Sequence, residues 1–204
     1  ALHGPWSKLA VADRSELLYA VADEINRRFD DFVEAEITDM GQPEQFVRHV
    51  DVPRGAANFK VFADIVKNVP NEFFEMTTPD GRGALNYSLR RPVGVVAVVC
   101  PWNLPFLLMT WKLGPAMACG NTVVVKPSEE TPLTAQAYVD ALNSVLPPGV
   151  LQIAHGADAQ GRAHTQAVPQ LQELEADGVL LAVRVGLQLA DGLLQVSLAE
   201  DARV

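Results

Sequence analysis

The chain has 204 residues, of which 49% are hydrophobic and 20% charged, a composition typical of a globular chain with one domain or two small ones. Its formal net charge of −9 argues against a nucleic-acid or anionic-membrane partner, because such partners favour a positive field. The longest apolar run, at 93–100, is far shorter than the roughly 20 residues of a membrane-spanning helix, and no secretory signal is evident. The two cysteines show no paired spacing, so we expect a protein of the reducing cytoplasm.

Residues 1–84 are predicted to form a helical layer. Asp13 followed by Glu16 resembles an N-terminal capping arrangement. Five apolar residues then follow at the helical steps of three and four: Leu18, Val21, Ile25, Phe29 and Phe32. A second helix is expected after Glu44, where Pro53 should kink or restart it before an apolar stripe resumes at Phe59, Phe62 and Val66. The turn residues 79–81 should close this region.

The middle of the chain changes to a strand pattern. Leu85, Tyr87 and Leu89 alternate with smaller or polar residues, and the valine and alanine run at 93–99 predicts a strand buried on both faces of a parallel sheet. A covered helix at 106–118, a strand at 121–125, a helix with Thr131 as N-cap and Pro132 at its first position, and a strand at 150–154 should follow. We therefore predict an α/β fold in which residues 93–156 form a βαβαβ half of a Rossmann-like parallel sheet.

The C-terminal segment, residues 157–204, differs in composition from the rest. It contains no Phe, Trp, Tyr, Lys, Asn, Ile or Cys, and all 14 aromatic residues of the chain precede it. The pattern indicates a helix at 165–175 and two short strands at 179–185 and 193–198. We interpret it as a divergent tail of unassigned structure.

Four motifs stand in order in the middle of the chain: PVGVV at 92–96, CPWNLP at 100–105, WK at 111–112 and GNTVVVKPSE at 120–129. This series resembles the aldehyde dehydrogenase superfamily, with a likeness that extends from Leu9 to His155. Within it, DVPRGAANF at 51–59 and LNY at 85–87 are most similar to the 2-hydroxymuconate semialdehyde dehydrogenases of aromatic-ring catabolism. The resemblance implies an incomplete aldehyde dehydrogenase fold, in which residues 85–92 begin the hairpin through which family members form dimers or tetramers.

Asn103 is the first candidate catalytic residue. It follows a buried strand and opens the turn into a helix, so its amide can project at the edge of the sheet where α/β proteins bind ligands. The resemblance implies that it donates a hydrogen bond to the oxyanion formed when a cysteine thiolate attacks the aldehyde. Such a donor lowers the barrier by about 3 kcal/mol in other oxyanion holes. The alternative is an asparagine that simply caps the helix.

Lys126 and Glu129 lie three residues apart, just beyond the second strand. The resemblance places them on the hydroxyls of the adenosine ribose, and a carboxylate there disfavours the 2′-phosphate of NADP, so NAD is the expected cofactor. It also places Pro101, Trp102 and Ser128 beside the cofactor. No G-x-G-x-x-G fingerprint is present, and the family uses a later glycine-containing turn for the phosphates. The alternative for Lys126 and Glu129 is a solvated surface pair.

Lys112 and Arg54 complete the candidate site. Lys112, as a buried lysine near Asn103, could tune the local charge or pass protons, or its stem could pack while its head reaches water. In the hydroxymuconate-type enzymes, the residue that matches Arg54 anchors the carboxylate of the substrate, a task that suits a guanidinium fork. The alternative for Arg54 is an ordinary ion pair on a helix surface.

The cysteines and histidines support no other site. Cys100 stands three residues from Asn103, but a free cysteine on an apolar strand is usually a small buried hydrophobic residue, and Cys119 is also expected in the core. The four histidines share no ligand spacing with each other or with the cysteines, so no metal site is predicted.

Three hypotheses for function remain. The first is NAD-dependent oxidation of an aldehyde, with an anionic semialdehyde as substrate, by an enzyme of which this chain is a part, since the Phe-Thr-Gly, Glu-Leu-Gly-Gly and nucleophilic cysteine segments of the family are not found at 157–204. The second is a non-catalytic remnant that binds an adenine nucleotide weakly. The third is a genuine dehydrogenase start followed by a frameshifted tail. We expect a small-molecule aldehyde and a possible homo-oligomer as partners.

Overall fold

The computed structural model describes residues 3–156. Its N-terminal helices form one layer, comprising α1 (Pro5–Lys8), α2 (Val11–Arg27), α3 (Phe29–Met40), α4 (Glu44–Phe46) and α5 (Val52–Lys67). The chain continues through β1 (Phe73–Met76), β2 (Ala84–Tyr87), β3 (Val95–Val99), α6 (Pro105–Ala118), β4 (Thr122–Lys126), α7 (Pro132–Asn143) and β5 (Leu151–Ile153). The predicted tail elements lie outside the described residues.

The first predicted apolar stripe is divided between two helices. Leu18, Val21 and Ile25 of α2 are fully buried, but α2 ends at Arg27 and Phe32 belongs to α3. The predicted capping role of Asp13 is wrong, because α2 begins at Val11 with Ala10 as its N-cap, and Asp13 lies within its first turn. Its negative charge is still favourable there, since the first turn carries the positive end of the helix dipole.

A π-helical turn, Val47–Asp51, joins α4 to α5 and directs the Asp51 side chain into the interior. Pro53 lies in the first turn of α5, where its missing N–H is tolerated, so the predicted restart of the helix is confirmed. Gly55 allows α5 to approach α6 closely, because a Cβ atom at this position would come within 2.2 Å of the Phe106 ring. The two helices therefore pack at this point with no space for a side chain.

The helical layer ends at Lys67 instead of residue 84, because residues 73–76 form a strand. β1 pairs with β2 in an antiparallel hairpin, with Phe73 opposite Tyr87 and Met76 opposite Ala84. The predicted turn at 79–81 is present, and the Gly81 N–H donates to the Thr78 carbonyl at 2.9 Å. The apolar side chains of this hairpin are largely exposed, since Phe73 is 72% and Tyr87 is 65% exposed.

The βαβαβ prediction is confirmed by a parallel sheet with strand order β3-β4-β5. The prediction that β3 is buried on both faces is wrong for the described residues. Val96 and Val98 are buried against the helices, whereas Val99 is 45% exposed and points to the other face. The three strands are therefore covered by helices on one face more completely than on the other.

An aromatic cluster joins the helical layer to the helices that follow the strands. The Phe106 ring of α6 lies 5.1 Å from Phe32 of α3 and 5.0 Å from Tyr138 of α7, measured between centroids. Phe59 of α5 lies 6.3 Å from Tyr138. Such contacts stabilise beyond the area they bury, so this cluster holds α6 and α7 against α3 and α5.

Candidate functional site

Two loops follow the carboxyl ends of neighbouring parallel strands. Loop 1, residues 100–104, connects β3 to α6, and loop 2, residues 127–131, connects β4 to α7. They meet at one edge of the sheet, because Val99 is paired with Lys126 and the Cys100 N–H donates to the Lys126 carbonyl at 3.0 Å. Ligands of open α/β sheets bind at such an edge, so the two loops define the candidate site.

Loop 1 presents Asn103 and its neighbours to solvent. Pro101 and Asn103 are exposed, and Trp102 is 57% exposed. The N-cap of α6 is Leu104 instead of Asn103, so the alternative role of Asn103 as a helix cap is wrong. Within residues 3–156 the Asn103 amide has no hydrogen-bond partner, and both of its N–H groups are available to an external acceptor.

Lys112 lies on α6 and returns to the end of β3. Its side chain is half-buried, and its Nζ donates to the Val99 carbonyl. The ammonium group therefore ties α6 to the residue that precedes loop 1, which fits a positioning role better than a lysine whose head only reaches water.

Neither cysteine is suited to nucleophilic attack at loop 1. Cys100 is buried, and this burial raises the pKa of its thiol to about 12, so the expected role as a small core residue is confirmed. Cys119 is half-buried instead of belonging to the core, and burial raises the pKa of its thiol as well. It follows the last residue of α6 and lies about 20 Å along the helix from loop 1, given a rise of about 1.5 Å per residue.

Lys126 and Glu129 form an ion pair at the start of loop 2. The Lys126 Nζ lies 3.2 Å from Glu129 Oε2, and the side chains are 11% and 47% exposed. A hydrogen bond from its own backbone lowers the pKa of Glu129, and the neighbouring Lys126 lowers it further. The alternative of a fully solvated surface pair is therefore wrong, because the Lys126 side chain is largely buried. Only the Glu129 carboxylate faces outward.

A cavity of about 360 Å³ lies beside this pair. Ser128 and Glu129 of loop 2, Leu133 and Gln136 of α7, and His155 after β5 contribute to its wall. His155 Nε2 lies 2.8 Å from Gln136 Oε1, which connects the end of β5 to α7. Sequence reasoning missed Leu133, Gln136 and His155, although the position of His155 directly after the third strand places it at the same sheet edge.

Arg54 is exposed on α5, next to the glycine that packs on Phe106. It has no ion-pair or hydrogen-bond partner among residues 3–156, so the described structure does not support the surface ion pair considered for it. Arg54 belongs to the helix that packs against the beginning of α6 through Gly55.

Sequence reasoning also missed two buried carboxyl groups below loop 1. Glu36 of α3 and Asp51 of the π-helical turn are both fully buried, and their carboxyls face each other. Burial, and then the charge of Asp51, raises the pKa of Glu36 to about 8, and burial raises the pKa of Asp51 to about 6. The pair therefore keeps a proton at neutral pH. The position of Glu36 on the apolar face of α3, together with Phe32 and Val33, is the sequence feature that could have revealed its burial.

Within the described residues, no helix is long and apolar enough to cross a membrane, and no group of three or more His, Cys, Asp or Glu side chains could hold a metal ion.

The family model described as "Aldehyde dehydrogenase family" matches residues 1–174. This chain belongs to the aldehyde dehydrogenase family. The family match extends into the C-terminal segment, whereas the sequence motifs predicted a likeness that ends at His155.

Curated aldehyde dehydrogenases similar to this chain act on muconic semialdehydes, by their names. A 2-hydroxymuconic semialdehyde dehydrogenase from Pseudomonas sp. (strain CF600) is 60% identical over 157 residues, which are 76% of this chain and 32% of the relative. The 2-aminomuconic semialdehyde dehydrogenase of Homo sapiens is 41% identical over 152 residues, 74% of this chain and 31% of the relative. The chain thus spans about a third of the length of these relatives.

Solved aldehyde dehydrogenase structures share the fold. The crystal structure of PnpE in complex with nicotinamide adenine dinucleotide matches with a TM-score of 0.73 and 34% identity, over 85% of this chain and 38% of that one. The NAD+ complex of an aldehyde dehydrogenase from Bacillus cereus matches with a TM-score of 0.71 and 28% identity, over 86% and 38%. The described helices and parallel sheet therefore form the N-terminal part of the aldehyde dehydrogenase fold.

Proposed function

We propose that this chain provides the nucleotide-binding pair and the oxyanion donor of an NAD-dependent aldehyde dehydrogenase that oxidises an anionic semialdehyde to the carboxylate. The observation that carries the proposal is the joining of the two loops at one sheet edge. The backbone bond from Cys100 to Lys126 joins the start of the loop that carries the exposed Asn103 amide to the strand end that carries the Lys126–Glu129 pair, and this supports a shared site. The muconic semialdehydes named for the similar relatives support the substrate class.

The residues around the cavity fit an adenosine group. A volume of about 360 Å³ lies within the roughly 300–1,000 Å³ of small-molecule sites. Pro127, Pro132 and Leu133 give it apolar walls, while Glu129 offers an exposed acceptor and Lys126 a donor for ribose hydroxyls. The Glu129 carboxylate would repel a 2′-phosphate, which favours NAD over NADP. When bound, NAD accepts a hydride from the substrate.

The remaining candidates act on the substrate side. Asn103 would donate a hydrogen bond to the oxyanion that develops as a nucleophile adds to the aldehyde carbonyl. Lys112 would hold the end of β3, and thereby loop 1, through its bond to the Val99 carbonyl. Arg54 would bind the carboxylate of the semialdehyde, since its guanidinium group has no partner among residues 3–156.

A non-catalytic role for the isolated chain is the second candidate, and the state of the two thiols favours it. Cys100 is buried with a raised pKa, and Cys119 lies at the opposite end of α6 from Asn103. An oxyanion donor without a thiolate at hand does not complete aldehyde oxidation. In this case the chain would bind an adenine nucleotide weakly and turn over no aldehyde.

Titration calorimetry with NAD and NADP tests nucleotide binding by the 204-residue chain. We expect measurable heat with NAD, weaker binding of NADP, and loss of about tenfold in NAD affinity for Glu129→Ala, because an acceptor to the ribose is removed. Glu130→Ala, an exposed neighbour outside the ion pair, is the matched control and should bind NAD as the original chain does. Absence of heat and of a thermal shift with NAD contradicts both candidate functions.

A second assay tests the non-catalytic role. The chain is incubated with NAD and a carboxylated semialdehyde, and NADH formation is followed by its absorbance. We expect no turnover above background, and steady NADH formation would rule out the non-catalytic role.

The β1–β2 hairpin is proposed to form an interface with a second copy of the chain, because its apolar side chains are exposed on both strands. Sedimentation of the original chain and of Phe74→Asp, whose ring is 62% exposed, tests this role. A purely monomeric original chain contradicts it.

A further inference from the structure

Helices α6 and α7 begin in the same way. Each has proline at its first position, preceded by an N-cap residue, Leu104 or Thr131, whose side chain makes no capping hydrogen bond. The N–H groups in the first turn of a helix have no intrahelical partner and need an acceptor from elsewhere. Both helices therefore depend on another part of the chain at the point where loops 1 and 2 end.

One helix supplies both acceptors. The Phe106 N–H of α6 donates to Glu36 Oε1 at 2.9 Å, and the Thr134 N–H of α7 donates to Asp39 Oδ2 at 2.7 Å. Glu36 and Asp39 lie three residues apart on α3 and so share one face of that helix.

The two capped residues lie close in sequence to the site. Phe106 is three residues beyond Asn103, and Thr134 is five residues beyond Glu129. An acidic group at a helix N-terminus also interacts favourably with the helix dipole. Each loop ends where a capped helix begins. The spacing of the two carboxyl groups on α3 therefore sets the spacing between the ends of the two loops.

We propose that Glu36 and Asp39 are positioning residues that set the placement of loop 1 and loop 2 relative to each other from a single helix face. Glu36 holds the loop that carries Asn103, and Asp39 holds the loop that carries the ribose-binding pair. The ligands assigned to the loops rest on the proposed function, whereas the capping contacts do not.

Glu36 and Asp39 accept hydrogen bonds from different amides. Amide hydrogen exchange, measured on the 204-residue chain, can therefore test each contact separately. Loss of a helix cap promotes local opening, so Asp39→Ala should accelerate exchange at Thr134 by about tenfold and leave Phe106 unchanged. Glu36→Met should do the reverse. Glu34→Ala, on an exposed position of the same helix, is the matched control and should change neither amide.

Nucleotide affinity gives a readout that general destabilisation does not produce. Asp39→Ala should weaken NAD binding about fivefold, and Asp39→Asn, which retains an acceptor oxygen, should restore it to within about twofold. Glu34→Ala, the exposed control on the same helix, should leave NAD binding unchanged. Asp39 is only half-buried, so its variants test the selectivity even if Glu36→Met does not fold.

Equal acceleration of both amides by either variant, or no acceleration at the capped amide, overturns the proposal. An unchanged NAD affinity in Asp39→Ala also overturns it, provided that the original chain binds NAD. If the original chain binds no NAD, the proposed function fails, and the exchange experiment alone still decides whether α3 positions the loops.

Discussion

The two loops at the sheet edge differ in how much support they receive from their own neighbours. Loop 2 is braced from within, since Ser128 accepts hydrogen bonds from Glu130 and Thr131 at 3.3 Å, and Lys126 pairs with Glu129. Loop 1 has exposed side chains from 101 to 103, and its Asn103 amide has no partner in the described part of the chain. Loop 2 is therefore pre-organised by its own contacts, whereas loop 1 lies open.

The carboxyl groups that cap the helices after the two loops show the opposite contrast, since they are more buried beneath loop 1 than beneath loop 2. Loop 1 rests on a pair of buried carboxyls, Glu36 and Asp51, while loop 2 is capped by the half-exposed Asp39 alone. The stability contributed by the buried pair depends on pH, because burial raises the pKa of both carboxyls. The two loops should thus respond differently to mutation.

The largest effect is expected for Phe106→Ala, because this ring supports both loops. It contacts Phe32 and Tyr138 in the aromatic cluster, and its removal leaves a cavity. We expect a loss of about 3–5 kcal/mol in the free energy of unfolding, measured by urea denaturation. Leu133→Ala, at a 52% exposed position on α7, should cost much less. Similar losses in the two variants would contradict the role of the cluster.

The second-largest effect is expected in the pH dependence of the unfolding free energy, and it arises from the carboxyl pair below loop 1. The pKa of Glu36 is raised to about 8 in the folded chain, so the folded state binds more protons than the unfolded state between pH 4.5 and 8. Asp51 has the same sign at lower pH, since its pKa is raised to about 6, and Asp39 adds negative charge nearby. The free energy of unfolding should therefore fall with rising pH, by roughly 3–4 kcal/mol from pH 5.5 to 8.

Glu36→Gln removes the titrating group and keeps an acceptor for Phe106. Its free energy of unfolding should vary less across this range than that of the original chain, whereas Asp31→Asn, on an exposed position of α3, should follow the original chain. A variant curve as steep as the original would show that the carboxyl pair is not the cause.

A smaller effect is expected at the ion pair of loop 2. Lys126→Met removes the donor proposed for the ribose and should weaken NAD binding by about fivefold, while its stem still packs at the end of β4. The measurement is calorimetric titration, with Lys60→Met as the control at a surface pair on α5. Unchanged affinity in Lys126→Met would favour a structural role for the pair.

The smallest effect is expected for Asn103→Ala. Its side chain is exposed and has no partner among residues 3–156, so both the unfolding free energy and the NAD affinity should stay within about 0.5 kcal/mol of the original values. A clear loss of stability would show that loop 1 is braced by this amide, and would remove the contrast with loop 2.

Local sequence patterns predicted the helices and strands whose formation depends mainly on their own residues. The valine runs predicted the strands β3 and β4, and Pro132 at the first helical position marked the start of α7. The hairpin strand β1 was missed because Phe73–Met76 is short, lacks alternation and is defined only by its pairing with β2. Asp13 was misassigned because α2 begins two residues earlier, at a position without a capping side chain.

Sequence reasoning reached the site residues on the loops but not those beneath them. Asn103, Lys126 and Glu129 stand in contiguous motifs, so a pattern could identify them. Glu36 and Asp51 are separated along the chain, and their contact depends on the π-helical turn and on the packing of α3 against α6. Such contacts arise only from tertiary structure, which no local periodicity encodes.

Strand β3 has a hydrogen-bonded neighbour on one side only, among the residues that the structure describes. Its sequence, five consecutive valine and alanine residues without charge or proline, is of the kind that templates pairing between separate molecules. Among residues 3–156, this edge of the strand that leads into Asn103 is therefore the part of the sheet that most favours pairing between separate molecules.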